Sequence, residues 1–190
     1  PSPIPSATPS DSHFNDVDLH WAKDDINYMA EQGYVNGDSD GNFYPDRGIT
    51  RAETVAMLSR VMGLEDGTYT GAFADVTEDK WYMACVEAAK EAGIVEGDGG
   101  LFNPDAQVTR AQLSKMAVLA YEKLSGQEIV VTETPAFTDG SILPDWAKPY
   151  IDKAYSVGII NGMDDGSFSP DKGATRAETV TILRRMLDKI

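Results

Sequence analysis

One motif occurs three times along the chain, and this repetition limits the possible folds more than any other feature. Each copy contains a Phe and an Asp, a Trp, a stretch ending in Gly, a Gly/Asp-rich turn, Phe-x-Pro-Asp, and Thr-Arg-Ala-Glu/Gln. The three tryptophans are Trp21, Trp81 and Trp146. A unit of this size cannot bury its own apolar surface, so we predict that the three copies share one core.

Two helices are predicted in each copy. The first follows the Trp and ends at a glycine before an apolar residue, which is the signature of a Schellman C-cap; these glycines are Gly33, Gly93 and Gly158. The second begins after a threonine followed three positions later by Glu or Gln, which is a capping box; these threonines are Thr50, Thr109 and Thr175. The predicted fold is therefore all-α, with three helix–turn–helix repeats.

The repeats define the organisation of the chain. We place a Pro/Ser/Thr-rich linker at 1–12, the first repeat at 13–63, a linker at 64–72, the second repeat at 73–124, a linker at 125–136 and the third repeat at 137–190. The opening segment has no charged or apolar region typical of a signal peptide. It is interpreted as a linker from a longer polypeptide or, alternatively, as a frayed terminus.

Composition makes several functions improbable. With 31 acidic and 16 basic residues, the formal net charge of −15 repels nucleic acids and anionic lipids, so neither is an expected partner. No apolar run approaches the ~18 residues needed to cross a bilayer, so membrane insertion is not expected. The only cysteine, Cys85, excludes an internal disulfide and a cysteine-based structural zinc site, and we assign it no role.

An arginine opens each second helix, where a cation opposes the helix dipole. Such an arginine beside exposed helix N–H groups would form a receptor for a carboxylate or phosphate. Alternatively, each arginine pairs with the aspartate of Phe-x-Pro-Asp and locks the turn. Both interpretations remain open at this stage. If the first is right, replacing the arginines should leave the fold intact.

Taken together, these motifs resemble the S-layer homology family over nearly the whole chain, from about residue 14 to 190. The resemblance implies a secreted, monomeric pseudo-trimer with a central helical bundle and three prongs, located at the cell surface, cell wall or S-layer. Its implied partner is the pyruvylated secondary cell-wall polysaccharide of a Gram-positive-type bacterium, bound through pyruvylated N-acetylmannosamine in grooves between the repeats. The implied function is non-covalent anchoring, without catalysis, metal or cofactor.

Twelve residues are candidates for carbohydrate binding on this basis. They are Arg51, Arg110, Arg176, Asp46, Asp105, Asp171, Trp21, Trp81, Trp146, Gly37, Gly97 and Gly162. The tryptophans could offer an aromatic platform to a sugar or pack in the core, as large aromatics usually do. Glu96 replaces the asparagine found in the other two copies, and this extra carboxylate is expected to weaken one groove.

Three alternative functions compete with this interpretation. The acidic turns are also compatible with calcium, but an EF-hand needs further ligands, and turn chemistry explains Asp, Asn and Gly there. An enzyme would need a nucleophile–base set, and His13 and His20, which have no counterparts in the other copies, are expected at the surface. A purely self-associating structural module would leave the arginines dispensable.

Overall fold

A computed structural model describes residues 13–190, so the predicted linker at 1–12 lies outside the described residues. In this region the protein is all-α, as predicted, with six α-helices and one short 3-10 helix at Gly140–Ile142. The α-helices are α1 (Lys23–Glu31), α2 (Arg51–Met62), α3 (Met83–Glu91), α4 (Arg110–Ser125), α5 (Lys148–Ser156) and α6 (Arg176–Leu187). Each repeat supplies two of them.

Local capping signals define the helix ends as the sequence predicted. All three capping boxes are present, with Thr50, Thr109 and Thr175 each accepting from the backbone N–H three residues on. The Schellman bonds are also present at the ends of α1, α3 and α5. In α1, for example, Tyr34 N donates to Met29 O at 2.9 Å and Gly33 N to Ala30 O at 2.9 Å. Gly33 takes a φ of 74°, which a residue without a Cβ adopts at least cost.

Helices from different repeats pack together, and the two helices of one repeat do not. The second helices α2, α4 and α6 contact one another and form a central bundle. Each also packs against the first helix of the following repeat: α2 against α3, α4 against α5, and α6 against α1. The arrangement is cyclic, because the last repeat packs against the first. One apolar core runs through all three repeats.

A ring of backbone hydrogen bonds joins the segments that precede the second helices. Ile49 N donates to Ala174 O at 3.1 Å, Ala174 N to Val108 O at 2.9 Å, and Val108 N to Ile49 O at 3.0 Å. All three residues are buried. The ring closes the three repeats around a pseudo-threefold axis at the N-terminal end of the bundle.

The position beside this ring has room for only one side chain. It is occupied by Gly48, Gln107 and Gly173 in the three repeats. Gln107 Nε2 donates to Ala174 O at 3.1 Å. A Cβ on Gly48 would lie 2.4 Å from Gln107 Nε2, and a Cβ on Gly173 would lie 2.2 Å from Gln107 Cδ. The two glycines therefore accommodate the one glutamine.

Candidate functional site

Three grooves surround the central bundle, and we name each after the repeat that supplies its inter-helix loop. The first groove is lined by Asn36, Glu53, Ala56, Met57, Arg60, Trp81 and Arg176, with a volume of about 160 Å³. The second, of about 530 Å³, includes Arg51, Glu96, Gly97, Asn103, Lys115 and Trp146 in its lining. The third, of about 500 Å³, includes Trp21, Arg110, Asn161, Gly162, Thr181 and Arg185.

Every groove is built by all three repeats. In the third groove, the loop residue Asn161 comes from the third repeat, Arg110 from the second and Trp21 from the first. In the second groove the loop comes from the second repeat, the arginine from the first and the tryptophan from the third. In the first groove they come from the first, third and second repeats, respectively. A complete groove therefore exists only when the three repeats have assembled.

The tryptophans lie at the surface of the grooves rather than in the core. Trp21 and Trp81 are 64% exposed and Trp146 is 49% exposed. The interpretation that they pack in the core is therefore wrong. A large aromatic ring exposed beside a cavity provides an apolar face and an indole N–H, the groups that a sugar ring can contact. Whether they contact carbohydrate stays a prediction.

The three arginines are buried and donate to backbone carbonyls of the following repeat. Arg51 Nε donates to Phe102 O at 2.8 Å and its Nη2 to Glu96 O at 3.2 Å. Arg110 makes the equivalent bonds to Phe168 O and Asn161 O, at 2.9 and 3.0 Å. Arg176 closes the cycle on the first repeat through Phe43 O at 2.9 Å and Asn36 O at 3.1 Å.

These hydrogen bonds contradict the alternative interpretation, in which each arginine pairs with the aspartate of Phe-x-Pro-Asp. The arginines donate to carbonyls, and Asp46 instead lies 3.2 Å from His20 Nε2. Asp105 and Asp171 have no hydrogen bond or ion pair within the described part of the chain. None of the three aspartates lines a groove. Their assignment to carbohydrate binding stays a prediction, without support from their position.

The N–H groups at the start of each second helix are also engaged, so the expected free helix N-terminus is absent from the described repeats. In α2, Arg51 N donates to Ala106 O at 2.9 Å and Ala52 N to Pro104 O at 3.0 Å. Glu53 N donates to Thr50 Oγ1 at 3.2 Å. Equivalent bonds occur in α4 and α6. The helix N-termini are therefore not available to an anion in the groove.

Part of each guanidinium group nevertheless remains available to the groove. Of its five N–H groups, two are used in the carbonyl bonds just described, and no described residue accepts from Nη1. Each arginine also stacks on a phenylalanine, with Arg176 Cζ 4.3 Å from the Phe43 ring centroid. Burial lowers the pKa of all three guanidinium groups, but a guanidinium stays protonated in proteins. The arginines thus combine a structural role with a charge at the base of a groove.

A carboxylate that sequence reasoning left without a role holds each inter-helix loop. Asp16 accepts from Phe43 N at 2.8 Å and from Tyr44 N at 2.7 Å, and Asp75 and Asp139 do the same in their repeats. The second donor in each pair has a positive φ, 58° for Tyr44, although it is not glycine. The recurrence of this Asp in all three copies was the available signal. It fixes a strained loop whose carbonyls the arginines bind.

The candidate glycines allow the loop to pass over an aromatic ring. A Cβ on Gly37 would lie 2.6 Å from a ring carbon of Phe14, and one on Gly97 would lie 2.7 Å from Phe73. A Cβ on Gly162 would lie 2.8 Å from a ring carbon of Phe137. Gly97 and Gly162 line their grooves. The glycines therefore have a packing reason for their recurrence, independent of any ligand.

Two other features of the sequence have a structural explanation. Asp38 Oδ1 accepts from Asp40 N and Asn42 N, at 2.9 and 2.8 Å, so this acidic turn is held by its own backbone. No group of three or more potential metal ligands occurs in residues 13–190. His20 is not a surface residue as expected, because its side chain is only 11% exposed and its Nδ1 accepts from Ala22 N at 3.1 Å.

Cys85 is half-buried, and burial raises the pKa of its thiol. A thiol with a raised pKa carries less thiolate, so the structure adds no reason to assign it reactivity. No helix among the described residues is long and apolar enough to cross a membrane.

Comparison with known proteins places these features in a family. The S-layer homology domain family matches the chain three times, at residues 13–55, 72–114 and 136–180. An amylopullulanase of Thermoanaerobacterium thermosulfurigenes is 38% identical over 179 residues, which are 94% of this chain and 10% of that protein. The S-layer protein of Bacillus thuringiensis subsp. finitimus is 32% identical over 188 residues, 97% of this chain and 22% of that protein.

The S-layer protein sap of Bacillus anthracis is 32% identical over 169 residues, 87% of this chain and 20% of that protein. The chain thus spans from a tenth to about a fifth of the length of these relatives. An enzyme and two S-layer proteins carry a similar segment, so the segment is shared by proteins of different overall kinds.

Proposed function

Because this chain belongs to the S-layer homology domain family, we propose that it binds a pyruvylated secondary cell-wall polysaccharide of a Gram-positive-type bacterium through its three grooves. The family and its S-layer relatives place the chain at the cell surface as a secreted anchoring module. The finer step, namely which polymer is held and by which residues, is what we propose.

The proposal rests on one observation: every groove contains both an exposed tryptophan and a buried arginine. In all three grooves both side chains line the same cavity. A pyruvate ketal gives a sugar one carboxylate while leaving the apolar face of the ring intact. The indole can pack against the apolar face of the sugar ring, and the guanidinium can donate hydrogen bonds to the carboxylate.

Because the protein is strongly acidic, binding of an acidic polymer should depend on the cation in each groove. The chain carries a formal charge of −15, so an anionic polysaccharide is repelled by most of the surface. An arginine in a partly closed cavity attracts a carboxylate more strongly than one in open water, because the local dielectric is lower. Binding should therefore depend on the pyruvate group and not only on the sugar.

In the second groove the extra carboxylate of Glu96 is paired with a lysine. Lys115 Nζ donates to Glu96 Oε2 at 2.6 Å, and this contact lowers the pKa of the Glu96 carboxyl. Lys115 is absent from the other repeats, where Ala56 and Thr181 stand at the same position. The extra carboxylate thus comes with its own cation, and we propose that the second groove remains able to bind.

We also propose that the module is non-catalytic. The three grooves are built from equivalent residues, whereas catalysis usually needs one asymmetric site. Three equivalent sites on one chain suit multivalent attachment. The expected outcome is that the purified chain releases no reducing sugar from wall polymer. Turnover that a single carboxylate substitution abolishes would overturn this part of the proposal.

The tryptophans offer the cleanest test, because they are exposed and their removal should not disturb the core. Purified polymer should be titrated by calorimetry into wild type and into Trp21→Ala, Trp81→Ala and Trp146→Ala, with native and with chemically depyruvylated polymer. We expect a loss of about 1 kcal/mol of binding free energy at each affected groove. Depyruvylated polymer should bind wild type much more weakly than native polymer.

Tyr69→Ala is the matched control, since Tyr69 is 40% exposed and lies in the linker before the second repeat, outside the grooves. It should bind like wild type. Equal binding of native and depyruvylated polymer would refute the anionic ligand. Equal effects of Tyr69→Ala and the groove variants would refute the grooves as the binding site.

A further inference from the structure

A second cation stands in the wall of the third groove. The position nine residues after the first arginine of each second helix is occupied by Arg60, Leu119 and Arg185. Arg185 lines the third groove together with Arg110 and Trp21. This groove therefore holds two arginines from two different helices.

Arg185 has no partner within residues 13–190. It makes no hydrogen bond or ion pair there, although it is half-buried. Its neighbour Arg184, by contrast, pairs with Asp188 and lies 3.8 Å from the Tyr28 ring centroid. Asp164 and Glu178 also line this cavity, but neither pairs with Arg185. A half-buried cation without a hydrogen-bond or ion-pair partner among the described residues, beside a cavity of about 500 Å³, is an arrangement that an anionic ligand would complete.

The two arginines lie towards opposite ends of the groove. Glu178, Thr181, Ile182 and Arg185 line the cavity from one face of α6. At a rise of 1.5 Å per residue, Glu178 and Arg185 are about 10 Å apart along the helix axis. Arg110 lies near the Glu178 end, since Arg110 opens α4, Glu178 is in the first turn of α6, and Arg110 N donates to Lys172 O just before α6 at 3.0 Å. A ligand lying along α6 would therefore meet one cation at each end.

The other grooves lack this arrangement. In the first groove Arg60 Nη1 donates to Tyr34 O at 3.5 Å, and the cavity is only about 160 Å³. In the second groove the equivalent residue is Leu119, and the additional cation, Lys115, is already paired with Glu96. Only the third groove combines an open cavity with an unpaired second cation in the described structure.

We propose that the third groove binds a stretch of polymer carrying two anionic groups, one at Arg110 and one at Arg185, and that Arg185 determines this preference. This inference rests on the proposed function. The chemical class of the ligand is an oligosaccharide with two acidic substituents on different sugar residues. The first and second grooves recognise a single acidic substituent.

The test compares fragments of the pyruvylated polymer that contain one or two pyruvylated units, titrated by calorimetry into wild type, Arg185→Gln and Arg184→Gln. The two variants remove the same charge from adjacent positions, but Arg184 does not line the groove. Arg185→Gln should lose about tenfold in affinity for the two-unit fragment at one site, as expected for removal of a charge-assisted hydrogen bond, and little for the one-unit fragment. Arg184→Gln should bind both fragments within about twofold of wild type.

The outcomes separate this inference from the proposed function. An equal loss with both variants would show a general charge effect and overturn the inference, as would an equal loss on both fragments. If Trp21→Ala weakens binding while Arg185→Gln changes nothing, the proposed function stands and the inference fails. If wild type binds neither fragment, the proposed function itself fails. Thermal melts of both variants check that the fold is retained.

Discussion

Arg176 should be required for the fold as well as for binding, which reverses the expectation drawn from the sequence. It belongs to the last repeat and donates to Phe43 O and Asn36 O of the first, 133 and 140 residues away. Arg176→Ala would leave both carbonyls without this donor and remove the stacking on Phe43. It would therefore weaken the interface that closes the ring of repeats.

The magnitude follows from the hydrogen bonds and the stacking that Arg176→Ala removes. A hydrogen bond from a charged group contributes about 1.5–3 kcal/mol net, and a desolvated cation–π interaction about 1–2 kcal/mol. The cost of burying the guanidinium, which is only 8% exposed, offsets part of this sum. We expect Arg176→Ala to lower the free energy of unfolding by about 3 kcal/mol, a large share of the total stability of a domain.

Urea unfolding followed by far-UV circular dichroism measures this loss. With a slope of roughly 2 kcal/mol/M, the midpoint should fall by about 1.5 M. The matched control is Arg47→Ala, because Arg47 is half-exposed and Glu53, at 2.6 Å, is the one partner of its side chain among residues 13–190. That variant should lose less than about 1 kcal/mol. Arg176→Lys should recover little, since an ammonium cannot reproduce the forked, stacked geometry.

An unfolding free energy for Arg176→Ala within about 1 kcal/mol of wild type would refute the structural role and restore the view that the arginine serves the ligand alone. The result also decides what binding by arginine variants means. If the variant is destabilised as expected, reduced polymer binding by it cannot be assigned to the absence of a direct bond to the ligand. The exposed tryptophans and Arg185 are then the informative positions.

Three further outcomes are expected. Gly48→Ala should destabilise the protein by about 1–3 kcal/mol through its clash with Gln107, and adding Gln107→Gly should restore part of the loss in a double-mutant cycle followed by urea unfolding. Residues 73–124 expressed alone should show no cooperative thermal melt by circular dichroism, because the two helices of one repeat do not pack together; a cooperative melt would contradict the shared core. Burial opposes ionisation of Glu87, but hydrogen bonds from Thr70 and from the backbone of Gly71 and Ala72 together outweigh it and set the Glu87 pKa below its ordinary value of 4.5. This stabilisation is present above pH 4.5 and is lost as the pH falls through the folded pKa, so Glu87→Gln should flatten that part of the acid-unfolding curve.

The helix ends were predictable because their signals are local. The capping boxes join residues three apart, and the Schellman bonds join residues within a single turn. The three repeats then indicated a shared core, because one repeat alone would leave its apolar face exposed to solvent. These inferences needed no knowledge of which repeats are neighbours.

The partners of the arginines could not be predicted in the same way. Arg51 donates to carbonyls 45 and 51 residues away, and those carbonyls have no side-chain signature in the sequence. The surface position of the tryptophans depends likewise on how the repeats rotate about the central axis. Arg185 gives no signal in the sequence, because its counterpart in the second repeat is leucine and it is therefore not part of the repeated motif.

The cyclic arrangement explains how an arginine that holds the fold could also serve the proposed ligand at little extra cost. A cation that only bound ligand would be buried at the expense of its hydration, and one that only held the loops could have been replaced by an apolar side chain. Here two N–H groups of Arg110 are satisfied by carbonyls of the next repeat, which fixes the guanidinium before any ligand arrives. A pre-positioned donor loses little entropy on binding. Because each groove takes its loop, arginine and tryptophan from three different repeats, the packing that creates the core also sets the geometry of the proposed binding sites.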